Sequence, residues 1–214
     1  MAKLTTYMAP GLFYSVMKRA FDAICALLFL LIIAPWFFLI IAIFIRLDSN
    51  GPVFFRQKRS GLRGKEFELV KFRTLTDGDH STDEHGNYRE ISIDACEVTK
   101  VGRFLRKSGI DELPQFINIL RGEMSVVGPR PHPILMDVEL RKTVLDYDKR
   151  LEAKPGLTGW AQVNGQRGPA KDPRIMGKRL EYDLWYIKHK SFFLDAKIII
   201  LTILVDLRKI SGSK

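Results

Sequence analysis

The sequence predicts an α+β fold that is predominantly helical and monotopic, that is, inserted into a membrane from one face only. Three observations predict it: a long apolar run near the N-terminus, one segment patterned as a small β-hairpin, and stretches with the apolar spacing of amphipathic helices. At 214 residues the chain fits one domain with its own core. We therefore expect an N-terminal membrane segment over residues 1–50 and a globular domain over residues 51–214.

The apolar run covers residues 23–45 and contains only Ala, Ile, Leu, Phe, Cys, Trp and one proline. At about 1.5 Å per residue, a helix of this length can cross the hydrocarbon core of a bilayer. The run is too long for a cleaved signal peptide and ends without a small-residue cleavage site. It is also longer than the apolar runs of most buried core helices. This segment predicts that the protein lies on a membrane.

Pro35 lies near the middle of this run, where it removes a helical hydrogen bond and crowds the preceding turn. Basic residues flank both ends, among them Lys18 before the run and Arg46 after it. A single crossing normally keeps its basic flank on the cytoplasmic side alone. A helix that enters, breaks at Pro35 and returns to the same face satisfies both observations, and we favour this re-entrant arrangement over a single span.

Residues 52–75 have the alternation of a β-hairpin. The first strand begins at Val53, the turn falls at residues 60–64, and Phe67 and Leu69 alternate with glutamates in the second strand. Residues 77–97 then form a polar, acidic loop. Its two histidines, His80 and His85, lack the partners and spacing of a zinc site, so we expect them to be solvated.

Two further stretches are expected to be helical. Residues 100–107 place Val101, Phe104 and Leu105 on an apolar face. Residues 192–207 are apolar but carry too many charges for a comfortable membrane span. This second stretch fits either a helix lying in the membrane interface or an ordinary helix packed on the core, and both alternatives remain open.

The charge balance points to an anionic partner. Lys and Arg number 34 against 24 Asp and Glu, which gives a formal net charge of +10. Nucleic acid, acidic lipid and a phosphorylated substrate are all compatible with this charge alone. The two cysteines imply no disulfide framework and are compatible with a reducing cytosol.

Asp111 and Glu112 form the most informative acidic pair. Pro114 suits the first turn of a helix and Gly122 its C-terminal stop, so the acids lie at the positive end of the helix dipole, which favours their ionised forms. A carboxylate pair that faces phosphates needs a divalent cation, and Mg²⁺ is usually held by one or two carboxylates plus substrate phosphates. One carboxylate can hold the metal while the other attacks phosphorus. Helix capping alone is the competing interpretation.

Two proline- and glycine-containing segments follow. In Gly128-Pro129-Arg130-Pro131 the prolines fix the backbone around Arg130, which suits bidentate phosphate binding or a structural ion pair. Residues 155–165 form a glycine-rich turn with amide side chains and Trp160. This turn suits the lining of a nucleotide-base pocket, but its spacing favours a plain packed loop.

Taken in order, these motifs resemble the bacterial sugar transferase family, the monotopic polyprenol-phosphate phosphoglycosyl transferases. The resemblance extends over residues 14–207. It rests on Lys18-Arg19-Ala20-Phe21-Asp22, Gly51-Pro52-Val53-Phe54-Phe55-Arg56-Gln57, Lys71-Phe72-Arg73-Thr74, Val101-Gly102-Arg103-Phe104-Leu105-Arg106, Asp111-Glu112-Leu113-Pro114-Gln115, Gly128-Pro129-Arg130-Pro131 and Pro155-Gly156-Leu157-Thr158-Gly159.

The resemblance implies that Asp111 is the nucleophile, which forms an aspartyl phosphosugar intermediate and releases UMP. It implies that Glu112 helps to bind Mg²⁺ and that Arg106 holds a phosphate. Lys71 and Arg130 match positions associated with the active site. The acceptor attacks the intermediate in a second, ping-pong step.

The resemblance also implies a location and a set of partners. The helix broken near Pro35 dips into the bacterial inner membrane from its cytoplasmic face, where residues 51–214 form the catalytic domain. The expected partners are a UDP-sugar, undecaprenyl phosphate and membrane lipids, with no nucleic acid. The reaction would be the first lipid-linked step of a surface glycan, such as an exopolysaccharide or lipopolysaccharide. The identity of the sugar and homo-oligomerisation remain open.

Two other functions compete with this one. A metal-dependent glycosyltransferase would release UDP, but its larger α/β domain needs a strand pattern that is missing here. The two D-x-D motifs, Asp77-Gly78-Asp79 and Asp146-Tyr147-Asp148, are little more than chance predicts. A non-catalytic basic tether to anionic lipid or nucleic acid would need neither Asp111 nor Mg²⁺.

Overall fold

The N-terminal helix bends at a π-helical turn. In this computed structural model, which describes residues 12–76, 89, 91–167 and 172–211, α1 (Leu12–Leu28) and α2 (Ala34–Asp48) are joined by the π-helical turn Phe29–Ile33. The ring centroids of Phe29 and Phe38 lie 6.1 Å apart, although a separation of nine positions in a straight helix places two side chains on opposite faces and about 13 Å apart along the axis. The helix is therefore bent near Pro35, and the bend begins at Phe29, ahead of the proline; the break and return to one face stay predictions.

Pro35 itself lies in the first turn of α2, where its missing N–H is tolerated. The wider π-helical turn before it makes room for the proline ring. The stretch Phe13–Asp48 is long and apolar enough to cross a membrane, and only 17% of its most apolar window is buried against the rest of the protein. This exposed apolar surface points to membrane association.

The predicted β-hairpin is confirmed. β1 (Phe54–Ser60) pairs antiparallel with β2 (Glu66–Phe72), and a short 3₁₀ turn, Leu62–Gly64, connects them. Phe67 and Leu69 are buried, as their alternation with glutamates predicts. The register places Phe55 opposite Lys71, so the end of β2 brings Lys71 toward the acidic pair.

The predicted basic helix is α3 (Lys100–Ser108), capped by the Thr99 hydroxyl, which accepts from the Gly102 backbone N–H. Of the predicted apolar face, Leu105 is fully buried, whereas Phe104 is 61% exposed. Gly102 explains the difference, because a Cβ there would lie 2.1 Å from the Thr74 carbonyl oxygen. That close backbone approach turns the Gly102–Leu105 side of α3 inward.

After α3 come a 3₁₀ helix, Ile110–Gln115, and α4 (Phe116–Arg121). A second, two-stranded parallel sheet, which the sequence did not predict, joins β3 (Ser125–Val127) to β4 (Gly156–Thr158). Each strand has only three residues, too few for a visible alternation. Between them lie α5 (Ile134–Thr143) and the 3₁₀ helix Tyr147–Glu152.

The chain closes with α6 (Trp160–Val163), α7 (Pro173–His189) and α8 (Phe192–Ser211). The two alternatives for residues 192–207 are a helix packed on the core and a helix lying in the membrane interface, and each agrees with one side of α8. Ile198 is fully buried and packs with Tyr186 and Val127, so one side of α8 belongs to the core. Another side exposes large apolar residues, which are Ile200, Ile203, Leu204 and Leu207.

Candidate active site

The acidic pair lies in the 3₁₀ helix between α3 and α4. Gly109 has a left-handed conformation, φ +74°, which redirects the chain after α3 and packs the 3₁₀ helix against β2. Asp111 is only 8% exposed. Pro114 lies inside the 3₁₀ helix, and Gly122 ends α4 with φ +81°, the stop that the sequence predicts.

Two basic side chains hold Glu112. Lys71 Nζ donates to its Oε1 at 2.9 Å, and Arg130 donates from Nη2 to Oε1 at 2.5 Å and from Nη1 to Oε2 at 3.1 Å. The Arg130 contact is a two-pronged, charge-assisted pair, which fixes the orientation of the carboxylate. The structural ion pair considered for Arg130 is therefore present, and its guanidinium also lines the cavity beside the acids.

The two acids differ in their protonation. Burial raises the pKa of Asp111 to about 6, although Lys71 opposes the rise and the Glu112 charge adds to it. Burial would also raise the pKa of Glu112, but Arg130 and Lys71 together lower it below its ordinary value. The expectation that the helix dipole favours both ionised forms is therefore wrong for Asp111, because lost hydration outweighs the small dipole of a short 3₁₀ helix.

Arg106 approaches the pair from α3. Its Nε donates to the Thr74 hydroxyl at 2.9 Å and its Nη1 to the Ile91 carbonyl at 3.0 Å. Its positive charge contributes to lowering the Asp111 pKa. The guanidinium is thus held at the edge of the site by the Thr74 hydroxyl and the Ile91 carbonyl.

A cavity of about 1340 Å³ joins all five predicted site residues. Asp206 is its third acidic lining residue beside Asp111 and Glu112, and the basic side chains on its wall are three times as many: Arg56, Arg59, Lys71, Arg73, Arg89, Arg106, Arg130, Arg167 and Arg179. Such a lining attracts multiply charged anions. The structure thus brings together Lys71, Arg106, Asp111, Glu112 and Arg130, while their chemical roles stay predictions.

A buried network that sequence reasoning missed supports the backbone of Arg130. Arg150 is 2% exposed; its Nη2 donates to the Arg130 carbonyl at 2.6 Å and to Asp183 Oδ2 at 3.0 Å. Its Nη1 lies 2.9 Å from Nδ1 of His132. Arg150 and Asp183 are 33 positions apart, and neither belongs to a recognisable motif, so no local signal identifies the pair.

The glycine-rich turn is a packed element, as its spacing favours. A Cβ on Gly156 would lie 2.1 Å from the Gly128 backbone nitrogen, so the chains of β4 and the Arg130 loop approach closely. Trp160 stacks on Trp185 with ring centroids 4.9 Å apart. Leu157 and other residues of this turn nevertheless line the cavity.

The remaining motifs lie elsewhere. His80 and His85, with Asp77-Gly78-Asp79, fall outside the described residues. In the second D-x-D motif, Asp146 pairs with Lys149 and Asp148 with Arg141 at exposed positions. That motif is absent from the cavity lining among the residues that the structure describes.

The acidic pair fits Mg²⁺ only as an incomplete set of ligands. No group of three or more His, Cys, Asp and Glu side chains in the described part of the chain can hold a metal. Mg²⁺ commonly takes one or two carboxylates and completes its shell with phosphate oxygens and water, and Asp111 with Glu112 matches that pattern. Because Glu112 already accepts from Lys71 and Arg130, it has only its remaining lone pairs to offer.

Comparison with known proteins identifies the family. Residues 13–209 match the family of bacterial sugar transferases. The chain is 44% identical to the UDP-glucose:undecaprenyl-phosphate glucose-1-phosphate transferase of Xanthomonas campestris pv. campestris, over 89% of this chain and 38% of that protein. It is 37% identical to the UDP-N-acetylgalactosamine-undecaprenyl-phosphate N-acetylgalactosaminephosphotransferase of Aeromonas hydrophila, over 91% and 44%.

A third relative has nearly the same length. The chain is 40% identical to the exopolysaccharide production protein PSS of Rhizobium leguminosarum bv. phaseoli, over 92% of this chain and 98% of that protein. By contrast, the chain spans less than half the length of the Xanthomonas and Aeromonas transferases. Because the family match covers nearly the whole sequence and includes the acidic pair, this chain belongs to the bacterial sugar transferase family.

Proposed function

We propose that this chain transfers a sugar-1-phosphate from a UDP-sugar to a polyprenol phosphate, with undecaprenyl phosphate as the acceptor. The observation that carries the proposal is a buried carboxyl, Asp111, beside the charge-paired Glu112 in a cavity lined mainly by basic side chains. Both substrates carry phosphates, which such a lining binds. The names of the Xanthomonas and Aeromonas relatives support the same reaction class.

In the first step, an ionised oxygen of Asp111 attacks the phosphorus that bears the sugar. A bond forms between Asp111 and phosphorus, the bond from phosphorus to the bridging diphosphate oxygen breaks, and UMP leaves with that electron pair. Lys71, Arg106 and Arg130 stabilise the charge that moves onto the phosphate oxygens. The raised pKa makes Asp111 more basic than an ordinary carboxylate, yet leaves it mostly ionised above pH 7.

In the second step, a phosphate oxygen of the acceptor attacks the same phosphorus. The bond between Asp111 and phosphorus breaks, the polyprenyl diphosphate sugar leaves, and the carboxylate is regenerated. Since both nucleophiles react as anions, neither step needs a general base. Glu112 stays ionised throughout both steps, because the positive charges of Lys71 and Arg130 compensate that of its carboxylate.

Asp111 and Glu112 are also the residues that would hold Mg²⁺ together with the donor diphosphate. When bound, the ion would offset phosphate charge and make UMP a better leaving group. The Arg130 contact with Glu112 restricts that carboxylate to a secondary part in metal binding.

The membrane helix is proposed to be re-entrant, with the catalytic domain on the cytoplasmic face of the inner membrane. Its two ends contact the same domain. Lys18 pairs with Asp195 of α8 at 2.6 Å, while the Asp48 carboxylate accepts from the Val101 N–H of α3 at 2.8 Å. A single span would carry its ends to opposite faces of the bilayer, whereas a helix bent at Phe29–Ile33 can return both to one face.

The transferred sugar is left open. The relatives are named for different sugars, glucose and N-acetylgalactosamine, and one is named for exopolysaccharide production. We propose that this chain acts at the first lipid-linked step of a surface glycan of this kind, whether an exopolysaccharide or a lipopolysaccharide.

One assay separates the proposal from its rivals. The protein is purified in detergent and incubated with undecaprenyl phosphate, Mg²⁺ and a panel of UDP-sugars, and the released nucleotide is identified. UMP together with a lipid-linked phosphosugar is the expected result. UDP would indicate sugar transfer without phosphate, and no product with any sugar would favour a non-catalytic tether. Asp148→Asn, at an exposed site outside the cavity, is the matched control for Asp111→Asn.

A further inference from the structure

One stripe of α8 forms a wall of the catalytic cavity. Ile199, Thr202, Ile203 and Asp206 all line it, and their spacing of three, four and seven positions places them on one side of the helix. The Thr202 hydroxyl lies 2.6 Å from that of Thr158, which ties this part of α8 to β4. The wall is therefore a fixed part of the domain.

Ile203 lies where the cavity meets the exposed surface. It lines the cavity and is also 55% exposed. The apolar residues exposed beside it are Ile200, Leu204 and Leu207. The cavity thus opens directly onto an apolar surface of α8, the surface type that a bilayer covers.

The inner part of this opening combines apolar side chains with the hydroxyls of Thr158 and Thr202, which hydrogen-bond to each other. Leu157, Val126 and Phe116 line the cavity and pack against the same buried apolar cluster, and Phe116 follows the acidic 3₁₀ helix in sequence. The Arg167–Asp206 ion pair joins the turn that follows α6 to α8, so these two charges largely neutralise each other. The cations that the site presents to a phosphate, Lys71, Arg106 and Arg130, come from other elements. We call the space between Ile203 and Leu157 the apolar arm.

We infer that the apolar arm binds the first isoprene units of the lipid acceptor, which enters from the bilayer along α8. This inference rests on the proposed function. The acceptor has a phosphate at one end and a long apolar chain at the other, which matches basic groups near Asp111 and an apolar exit past Ile203. A UDP-sugar is polar along its whole length and has no part that needs the arm. The arm therefore serves the second step of the reaction and leaves the first unaffected.

The test compares two isoleucines on the same helix. Ile203→Glu places a charge in the arm, and Ile200→Glu is the matched control, because Ile200 is 58% exposed on α8 but does not line the cavity. Ile203→Trp and Ile200→Trp repeat the comparison with apolar side chains that fill space. Vesicle flotation and thermal melting show whether the paired variants bind membrane and fold alike.

Two reactions are then measured. Exchange of labelled UMP into UDP-sugar without acceptor reports the first step, and the KM for undecaprenyl phosphate reports the second. We expect both Ile203 variants to raise that KM about ten-fold, equivalent to about 1.4 kcal/mol, with exchange unchanged. The Ile200 variants should stay within about two-fold, well below that ten-fold effect.

The outcomes separate this inference from the proposed function. If the Ile203 and Ile200 variants have equal KM values, the apolar arm does not bind the acceptor. If Phe55→Glu, at the other exposed rim of the cavity, raises the KM instead, the lipid enters beside the hairpin and the inference is overturned. If the unchanged protein exchanges no UMP, the covalent first step itself fails.

Discussion

Asp111 and Glu112 are adjacent in sequence but experience opposite electrostatic effects. The charge of Glu112 is compensated by Lys71 and Arg130, so the carboxylate stays ionised although it is largely shielded from water. No described side chain makes an ion pair with Asp111, and burial raises its pKa to about 6. Such asymmetry is typical of acid pairs in which one group reacts and the other holds the geometry.

This asymmetry predicts that Asp111→Asn abolishes turnover and stabilises the fold. The Asp111 pKa is about 6 in the folded protein against an ordinary value of 3.8 for an exposed aspartate. Because the folded value is the higher one, ionisation destabilises the fold by on the order of 3 kcal/mol above pH 7. The amide removes that penalty, so the variant should melt at a higher temperature at pH 7.5.

The pH dependence supplies the check. The stability advantage of Asp111→Asn should shrink as the pH falls through about 6 and vanish below about 4, where both states of the original carboxyl are protonated. Thermal melting across this range measures it, with Asp148→Asn as the exposed control. An active Asp111→Asn variant would remove Asp111 from the nucleophile role.

A second prediction at this scale concerns the rate. Only the carboxylate form of Asp111 can attack, so kcat/KM should decline as the pH falls through about 6. Lys71 lowers this pKa, and Lys71→Met should therefore move the acid limb of the pH profile to higher pH. A limb at the same pH in both proteins would show that another group controls it.

At the scale of elements, the bend in the membrane helix determines on which face of the membrane the segments before and after the apolar run lie. With Cys25 and Cys96 replaced by serine, a single cysteine is introduced at Ser15 or at Asn50, positions exposed on either side of the apolar run. We expect both to resist a membrane-impermeant thiol reagent in intact spheroplasts and to react after permeabilisation. Labelling of one position in intact spheroplasts would establish a single span and contradict the re-entrant proposal.

The ion pair between Arg150 and Asp183 joins the 3₁₀ helix Tyr147–Glu152 to α7. Arg150 also supports the backbone of Arg130 in the site. Arg150→Met leaves a buried carboxylate without its partner, which typically costs about 3–5 kcal/mol. Replacing both residues, as Arg150→Met with Asp183→Leu, should restore much of the denaturant midpoint. The double variant should still have a reduced kcat, because the Arg130 carbonyl has lost its donor.

The contrast between single and double variants is the informative part. A purely structural pair would recover activity together with stability. If the double variant regains both, Arg150 has no part in positioning Arg130. Unfolding in denaturant and steady-state kinetics on the same preparations distinguish the two results.

At the scale of the whole molecule, charge and apolar surface combine at the membrane. The formal net charge is +10, and apolar side chains are exposed along the bent N-terminal helix and α8. We expect stronger binding to vesicles with anionic lipid than to neutral ones, and a decrease on adding salt as charges are screened. Part of the vesicle binding should remain at high salt, because the insertion of apolar side chains does not depend on salt. Complete release at high salt in flotation would indicate a charge-driven tether instead.

The sequence by itself determined the local features: the long apolar helix near the N-terminus, the hairpin, the basic helix before the acidic pair, and the helix stop at Gly122. These follow from spacing, proline and glycine conformations and motif order, which act over a few residues. It missed the short parallel sheet, whose three-residue strands have no period, and it did not separate the buried Leu105 from the exposed Phe104, a difference that depends on the close approach of Gly102 to Thr74.

Only the tertiary structure decided how the site is assembled and charged. Glu112 meets Lys71, 41 positions away, and Arg130, 18 positions away, because the hairpin and the proline-bounded loop converge on the 3₁₀ helix. The raised pKa of Asp111 likewise depends on burial by distant elements, which no local pattern encodes. The physical reason is the same in both cases: hydration and charge pairing are properties of surroundings in space, whereas sequence patterns describe neighbours along the chain.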